Sequence, residues 1–216
     1  MHEFKLGVWK AVLTHLIRIL YTQGTEVIAE FNHRFQQVPM FGLDTIRKFS
    51  NNVSAMKKLA VQDFEDILQC IIPVIEGLLP QKDEKVVLDL IFILSTWHAY
   101  AKLRLHTDHT LASFDVLTRP LRTALHHFGG KFSNQFDTKE LPKEADAQKR
   151  QATTSKNKGK ASRFKEQNTC GKTRFSLSTY KLHTLGDYPN TIRWRGTTDS
   201  YNTQMASFVF SYVSTC

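Results

Sequence analysis

The segment VVLDLIFILSTWHAYAKLRL, residues 86–105, places apolar side chains around almost the whole circumference of a helix. Asp83 stands just before it and is a good N-cap residue. A helix that is apolar on most sides usually lies at the centre of a bundle, because only there are all of its faces covered. The segment therefore predicts a central helix with other helices packed around it.

Helical periodicity of apolar residues continues on both sides of this segment. Towards the N-terminus, an amphipathic stripe runs from Phe4 to Leu20 and ends near Gly24, and Thr25 caps a second helix that Pro39 ends. Before the central helix, the sequence predicts a short helix from Asp44, a segment from Ser54 and a helix over 64–78 that Pro73 should kink. After it, a helix is predicted from Thr107 or Asp108 to Phe128, with an interruption at Pro120. Gly129-Gly130 should break that helix, and a shorter helix is predicted from Lys131 to Phe136.

These elements predict a mainly α fold with three regions. Residues 1–138 form an irregular bundle of about five to seven helices. Residues 139–175 form a basic low-complexity linker, and 150–172 are predicted to be disordered because they bury too little apolar surface to offset their ordering entropy. Residues 176–216 form a loop-rich tail, in which 175–188 dock as a short helix, 189–204 form loops and the pattern is lost after 204.

The positive charge of the chain is concentrated in the predicted linker. The net charge is +9 overall, but residues 1–138 hold 15 Lys and Arg against 14 Asp and Glu. Residues 139–175 hold 11 against 4, and residues 176–216 hold 3 against 2. A localised basic segment attracts phosphate or anionic lipid more readily than a uniformly basic fold does.

We expect non-specific DNA contacts from this linker and from the tail. Linker cations would contact a phosphate backbone without reading its sequence, although a solvated linker explains them equally well. In the tail, Trp194 lies between two arginines and can either stack on bases or pack against the bundle. The candidate DNA-binding residues are Lys149, Arg150, Lys156, Lys158, Lys160, Arg163, Lys165, Lys172, Arg174, Arg193 and Arg195.

Four acidic residues are candidates for catalysis. Asp63, Glu65 and Asp66 cluster near a predicted helix start, and Glu3 lies near the N-terminus. Carboxylates brought together could hold Mg²⁺ for phosphoryl transfer, since that ion prefers oxygen ligands. Acids in a first helical turn also stabilise the helix N-terminus without any ligand, and the sequence favours this interpretation.

Two further patterns are weak. His98 falls inside the apolar helix, whereas His106, Asp108 and His109 fall at its end, so the four would not converge easily on one ion; no metal site and no cofactor are expected. The string NTCGKT at 168–173 ends like a phosphate-binding loop, but the first glycine of that motif is absent.

The cysteines and the apolar runs of the sequence restrict its predicted cellular location. The three cysteines are too few and too scattered for a disulfide framework or a zinc site, which favours an intracellular protein. Charges interrupt every apolar run of residues 1–23, so no secretory signal is predicted. No apolar stretch reaches the about 20 residues of a membrane span, so no membrane association is expected.

Four blocks of the sequence resemble a known family. They are residues 2–10, 51–66, 96–108 and 179–204, and the string from Gly186-Asp187-Tyr188 to Gly196-Thr-Thr-Asp-Ser-Tyr201 is the most specific. Together they are similar to the C-terminal half of Plavaka-type transposases, of the Kyakuja-Dileera-Zisupton group found in fungal genomes. The likeness covers nearly all of residues 1–204.

The resemblance implies a cut-and-paste DNA transposase with an RNase H-like core, acidic metal ligands and metal-dependent strand cleavage. Members commonly carry an Asp just before the block that matches Met1-His2-Glu3, and continue after the block that ends at Gln204 into a charged segment; this sequence has neither. Trp194-Arg195 also replaces an expected Arg-Phe pair. The acidic cluster around Glu65 could match the last catalytic carboxylate of the family, and Mg²⁺ would be needed only if that activity were retained.

Three hypotheses follow for the function. The first is a non-catalytic remnant of such a transposase, truncated at both ends, nuclear if functional, with at most non-specific DNA affinity and possible contact with the rest of a transposase core. The second is a host-retained helical module that binds protein. The third is a metal-dependent nuclease or transposase that uses the remaining acids.

Overall fold

The computed structural model of the chain describes residues 1–42, 45–56, 59–142, 144, 146 and 172–198. Over these residues the protein is mainly helical, as predicted. The α-helices are α1 (Lys10–Gln23), α2 (Thr25–Gln37), α3 (Val61–Ile75), α4 (Gln81–Ala101), α5 (Asp108–His127), α6 (Tyr180–His183) and α7 (Tyr188–Arg195). Shorter elements are π-helical Phe4–Trp9 and Phe128–Phe132, and the 3₁₀ turns Val53–Ala55, Ser133–Gln135 and Thr184–Asp187.

The N-terminal helices form as the sequence predicts. Phe4–Trp9 runs without a break into α1, and the boundary with α2 is Gly24 at φ 130°. A side chain would be strained at that backbone angle, which is why glycine separates the two helices. At the other predicted start, the Thr107 hydroxyl accepts a hydrogen bond from the Thr110 amide at 3.2 Å and caps α5.

Helix α4 packs most extensively against α5 and also against α3. Its residue Trp97 is fully buried, and the Trp97 ring stacks on Phe4 with a centroid distance of 4.9 Å. The prediction of a helix covered on all sides holds only in part, because Phe92 and Ala99 lie on an exposed face. The helix also starts at Gln81 after Pro80, so Asp83 lies in its first turn and is not its cap.

Several predicted local features are wrong. Residues 45–50 do not form a helix; Phe41 and Ile46 instead make an antiparallel bridge with N···O distances of 3.1 and 3.0 Å. Helix α5 passes through Pro120 without interruption. Gly129-Gly130 does not end the helical path either, since burial of Phe128 and Phe132 outweighs the low helix propensity of glycine. Pro73 lies in the last turn of α3, close to the helix end at Ile75.

The C-terminal part of the described chain packs on the bundle. The predicted short helix appears as α6 and the following 3₁₀ turn, but the loops predicted from 189 are wrong as far as Arg195, because α7 is helical. Pro189 in its first turn suits a helix start, since the missing amide hydrogen has no partner there. Phe175, Leu185 and Ile192 are buried against the bundle, so this segment is part of the core.

Gly129 lets the C-terminal segment approach the π-helical element Phe128–Phe132. A Cβ atom at this position would lie 2.8 Å from Phe175 Cδ1 and 3.0 Å from Leu177 Cγ, whereas at Gly130 it would meet nothing within 4 Å. We expect Gly129→Ala to lower the free energy of unfolding by about 1 kcal/mol or more through overpacking. Gly130→Ala, the matched control, should raise it by up to about 1 kcal/mol through helix propensity. Urea unfolding of both variants measures the difference, and equal behaviour would contradict the close approach.

Candidate nucleic-acid surface and buried charge cluster

The three acidic candidates of α3 do not converge on one point. Asp63 and Asp66 both accept from the guanidinium of Arg47, with N···O distances of 2.7 and 3.1 Å. Asp63 also accepts the Ala60 amide at 2.5 Å at the start of α3. That contact is the helix N-terminal role that the sequence favoured for this cluster.

Glu65 points to the opposite side of α3 and is buried. One carboxylate oxygen accepts from the ammonium group of Lys5, and the other accepts from that of Lys102. Lys5 and Glu65 have side chains only 2% exposed, whereas Lys102 is 43% exposed. Burial alone would raise the pKa of Glu65, but the hydrogen bonds from Lys102 and Lys5, together with the positive charge around it, leave that pKa below its ordinary value.

His98 and Ser95 of α4 lie beside this ion cluster. The His98 ring stacks on Phe4 with a centroid distance of 5.3 Å, and its Nε2 is buried without a hydrogen-bond partner. The Ser95 hydroxyl is also buried and without a partner. Burial lowers the pKa of His98 to about 4, although the carboxylate of Glu65 acts in the opposite direction.

A cavity of about 250 Å³ opens between α3 and α4 at this place. We call it the α3–α4 cavity; its lining residues are Glu65, Leu68, Gln69, Ser95, His98, Ala99 and Lys102.

The other metal and catalytic candidates lie apart. Glu3 is exposed on the first helical turn, and Asp108 and His109 are exposed at the start of α5. His106 stacks on Phe114 at 6.4 Å, away from the cluster around His98. Within the described ranges, no group of three or more His, Cys, Asp or Glu residues could hold a metal ion.

A basic groove lies between α5 and the segment that contains α6. Its volume is about 330 Å³, and Arg119, Arg122 and His126 line it from α5 while His183 lines it from α6. The guanidinium groups of Arg119 and Arg122 make no ion pair with any residue that the structure describes. Asp115 is the acidic residue of the lining.

Helix α7 extends the positive charge next to this groove. Arg193 pairs with Asp115 and donates to Asn190 Oδ1 at 2.8 Å, which fixes α7 beside α5. Trp194 is 89% exposed, and Arg195 is exposed after it. We define the basic surface as the guanidinium groups of α5 and α7 with this tryptophan: Arg119, Arg122, Arg193, Trp194 and Arg195.

The structure describes only some of the other predicted DNA-binding residues. Lys172 pairs with Asp137 at 3.2 Å, and Arg174 is exposed. The P-loop-like string is described only at its end, where the Thr173 amide donates to the Thr138 carbonyl at 2.9 Å. Residues 147–171 of the linker predicted over 139–175 lie outside the described residues, and so do its candidates Lys149, Arg150, Lys156, Lys158, Lys160, Arg163 and Lys165.

The two α5 arginines are not among the residues predicted to bind DNA, although their spacing in the sequence places them on one face of a helix. Arg119, Arg122 and His126 recur at intervals of three and four residues, which places them on one helix face. The partners of Glu65 had no such signal, because Lys5 and Lys102 lie 60 and 37 residues away along the chain.

No protein-family model, curated protein or solved structure matches this chain. Among the residues that the structure describes, no helix combines the length and the hydrophobicity that a bilayer crossing requires.

Proposed function

We propose that this chain is a non-catalytic helical part of a Plavaka-type DNA transposase, and that it binds DNA through the basic surface without reading its sequence. The observation that carries the proposal is Trp194, which is 89% exposed between two arginines. The flat face of an exposed indole ring suits stacking on a nucleobase.

The charges around this tryptophan support a polyanionic partner. Arg119 and Arg122 make no ion pair within the part of the chain that the structure describes, and Arg195 is exposed on α7. Asp115 is the one carboxylate of the groove lining, and Arg193 already neutralises it. Contacts of this kind go to the phosphate backbone, so they give affinity that depends on salt but not on base sequence.

We propose no catalytic activity because the acidic candidates of α3 already pair with lysine or arginine side chains. Both oxygens of Glu65 accept from lysines, and Asp63 and Asp66 share Arg47. A Mg²⁺ site requires carboxylate oxygens that are free to face the ion. We therefore expect no Mg²⁺-dependent nicking of plasmid DNA; nicking that Glu65→Gln abolishes would overturn this part and favour the nuclease hypothesis.

Salt dependence of DNA binding tests the surface. For the full chain and a fluorescent single-stranded oligonucleotide, we expect the logarithm of the binding constant to fall linearly with the logarithm of the salt concentration. The double variant Arg119→Gln with Arg122→Gln should reduce the magnitude of this slope by about 1.4, since each lost phosphate contact removes about 0.7. The matched control removes two exposed cations from the start of α4, Lys82→Gln with Lys85→Gln. Equal losses in both double variants would show attraction to net charge alone.

Trp194→Ala tests the stacking contact separately. Loss of one base–aromatic stack costs about 1–3 kcal/mol, so we expect affinity for the oligonucleotide to fall about 5- to 150-fold at constant salt. Trp194→Phe should keep most of the affinity because the phenyl ring still stacks, and the salt slope should not change in either variant. If Trp194→Ala bound the oligonucleotide as tightly as the wild type does, Trp194 would have no role in DNA binding.

A helical protein-interaction module is the second candidate. Large apolar side chains are exposed on several elements, including Phe41, Phe92 and Val116 at 67%, 63% and 72%. Protein capture that persists at high salt, together with DNA binding that is undetectable at low salt, would favour this candidate over the first.

A further inference from the structure

The α3–α4 cavity holds polar groups that the proposed function does not use. Two hydrogen-bonding atoms of its lining residues, His98 Nε2 and Ser95 Oγ, are buried and have no partner among the residues that the structure describes. Buried polar groups are rarely left unpaired in native proteins, because each one costs about 1–3 kcal/mol. His98 as a whole is 95% removed from solvent, at 5% exposure, and its ring is held against Phe4.

The charges at the cavity are unbalanced. Lys5 and Lys102 bring two ammonium groups, and Glu65 brings one carboxylate that both of them contact. His98 is neutral near pH 7, because burial lowers its pKa to about 4. One positive charge is therefore in excess next to two unused polar atoms, and Lys102 still has ammonium hydrogens that Glu65 does not accept.

The cavity is also accessible and of suitable size. Gln69, Ala99 and Lys102 are solvent-exposed at its edge, so a solute can enter from that side. A volume of about 250 Å³ exceeds the share of one water, about 30 Å³, several-fold. It has room for a compact solute with a few waters.

We propose that the α3–α4 cavity is a binding site for a compact oxyanion, a phosphate or a carboxylate. Lys102 supplies the charge at the mouth, His98 donates from Nε2 and Ser95 donates from its hydroxyl. A bound anion offsets the excess positive charge and satisfies both buried polar atoms at once. Glu65 keeps its pairing with Lys5 and excludes a second anion from the inner end.

The test is a titration of the full chain, followed by NMR, with inorganic phosphate and with acetate as separate arms. We expect saturable shifts confined to residues around the cavity, and preference for one arm identifies the class of anion. Binding should also raise the pKa of His98, because a negative ligand stabilises the imidazolium; tenfold tighter binding to the protonated form corresponds to one pKa unit. The groups that face His98 are Glu65, Lys5, Lys102 and the amino group of Met1.

Three variants separate the site from general charge effects. His98→Phe keeps a ring against Phe4 but removes the donor, and Lys102→Met removes the charge at the mouth; each should weaken binding at least tenfold. His127→Phe changes an exposed histidine at the end of α5 and should bind like the wild type. Absence of saturable shifts in the wild-type protein with either anion overturns the proposal, as does equal binding by wild type and His98→Phe.

Discussion

Acidification from pH 7 to pH 4 is expected to lower the free energy of unfolding by about 6 kcal/mol, because two buried histidines must remain neutral in the folded chain. His15 and His98 are 0% and 5% exposed, and both have pKa values lowered from 6.5 to about 4. A shift of that size corresponds to about 3 kcal/mol for each histidine. The loss is comparable to the 5–15 kcal/mol that typically stabilises a domain.

The direction follows from the proton affinities of the two states. The unfolded histidines bind protons more tightly than the folded ones, so acid favours unfolding. Their contribution is complete above pH 6.5 and is lost as the pH falls towards 4. Burial is the main cause at both sites; the charge of Arg18 adds to it at His15, and the charges of Lys5 and Lys102 add to it at His98.

Urea unfolding at pH 7, 6, 5 and 4 measures this effect. His15→Gln removes one of the two groups, so the pH-dependent loss between 7 and 4 should fall by about half, whatever the variant's stability at pH 7. His127→Gln is the matched control, since His127 is exposed. Stability that stays constant down to pH 5 would show that neither histidine is buried as described.

The role of His15 illustrates which features the sequence predicts and which it does not. Its position within the amphipathic stripe of α1 predicts that it lies on a helix. Nothing local shows that its Nε2 meets Ser133 Oγ, or that its ring lies 5.8 Å from Phe128 and 5.6 Å from Phe175. Those partners come from more than 100 residues away, so they depend on how the helices pack.

The dependence on helix packing also explains why the sequence did not predict the partners of Glu65. Helix starts and stops such as Gly24 and Thr107 depend on neighbouring residues, and they were predicted correctly. In the sequence, Lys5 is a charge that interrupts an apolar run. In the structure, its side chain is buried and its ammonium group donates to Glu65. A buried charge of this kind requires a partner, and the partner is fixed only by tertiary structure.

Substitution of Glu65 by glutamine is expected to lower the free energy of unfolding by about 3–5 kcal/mol. The amide side chain has almost the same shape, so packing is preserved and only the charge is lost. Lys5 then remains as a fully buried ammonium group without a counter-ion, which is the costly outcome of breaking a buried ion pair. Lys102 suffers less because it is 43% exposed and can turn towards water.

Urea unfolding at pH 7 measures the loss, and Glu3→Gln is the matched control because Glu3 is exposed. We expect the control to change stability by less than about 0.5 kcal/mol. The depressed pKa of Glu65 adds a second signature: its stabilisation is present above the unfolded pKa of a carboxyl group and disappears as acid protonates it. Glu65→Gln should therefore lose part of the pH dependence that the wild type shows below pH 4.5.

The double variant Lys5→Met with Glu65→Leu distinguishes the cost of an orphaned charge from the worth of the ion pair itself. Replacing both partners with apolar side chains of similar size removes the buried charges together, and such replacements are often neutral or stabilising. We expect the double variant to recover most of the stability that Glu65→Gln loses. A double variant as unstable as the sum of Lys5→Met and Glu65→Leu would show that the two side chains do not interact, and would contradict the buried ion pair. Oxyanion titration of the same variant then shows whether the cavity needs Glu65 in place.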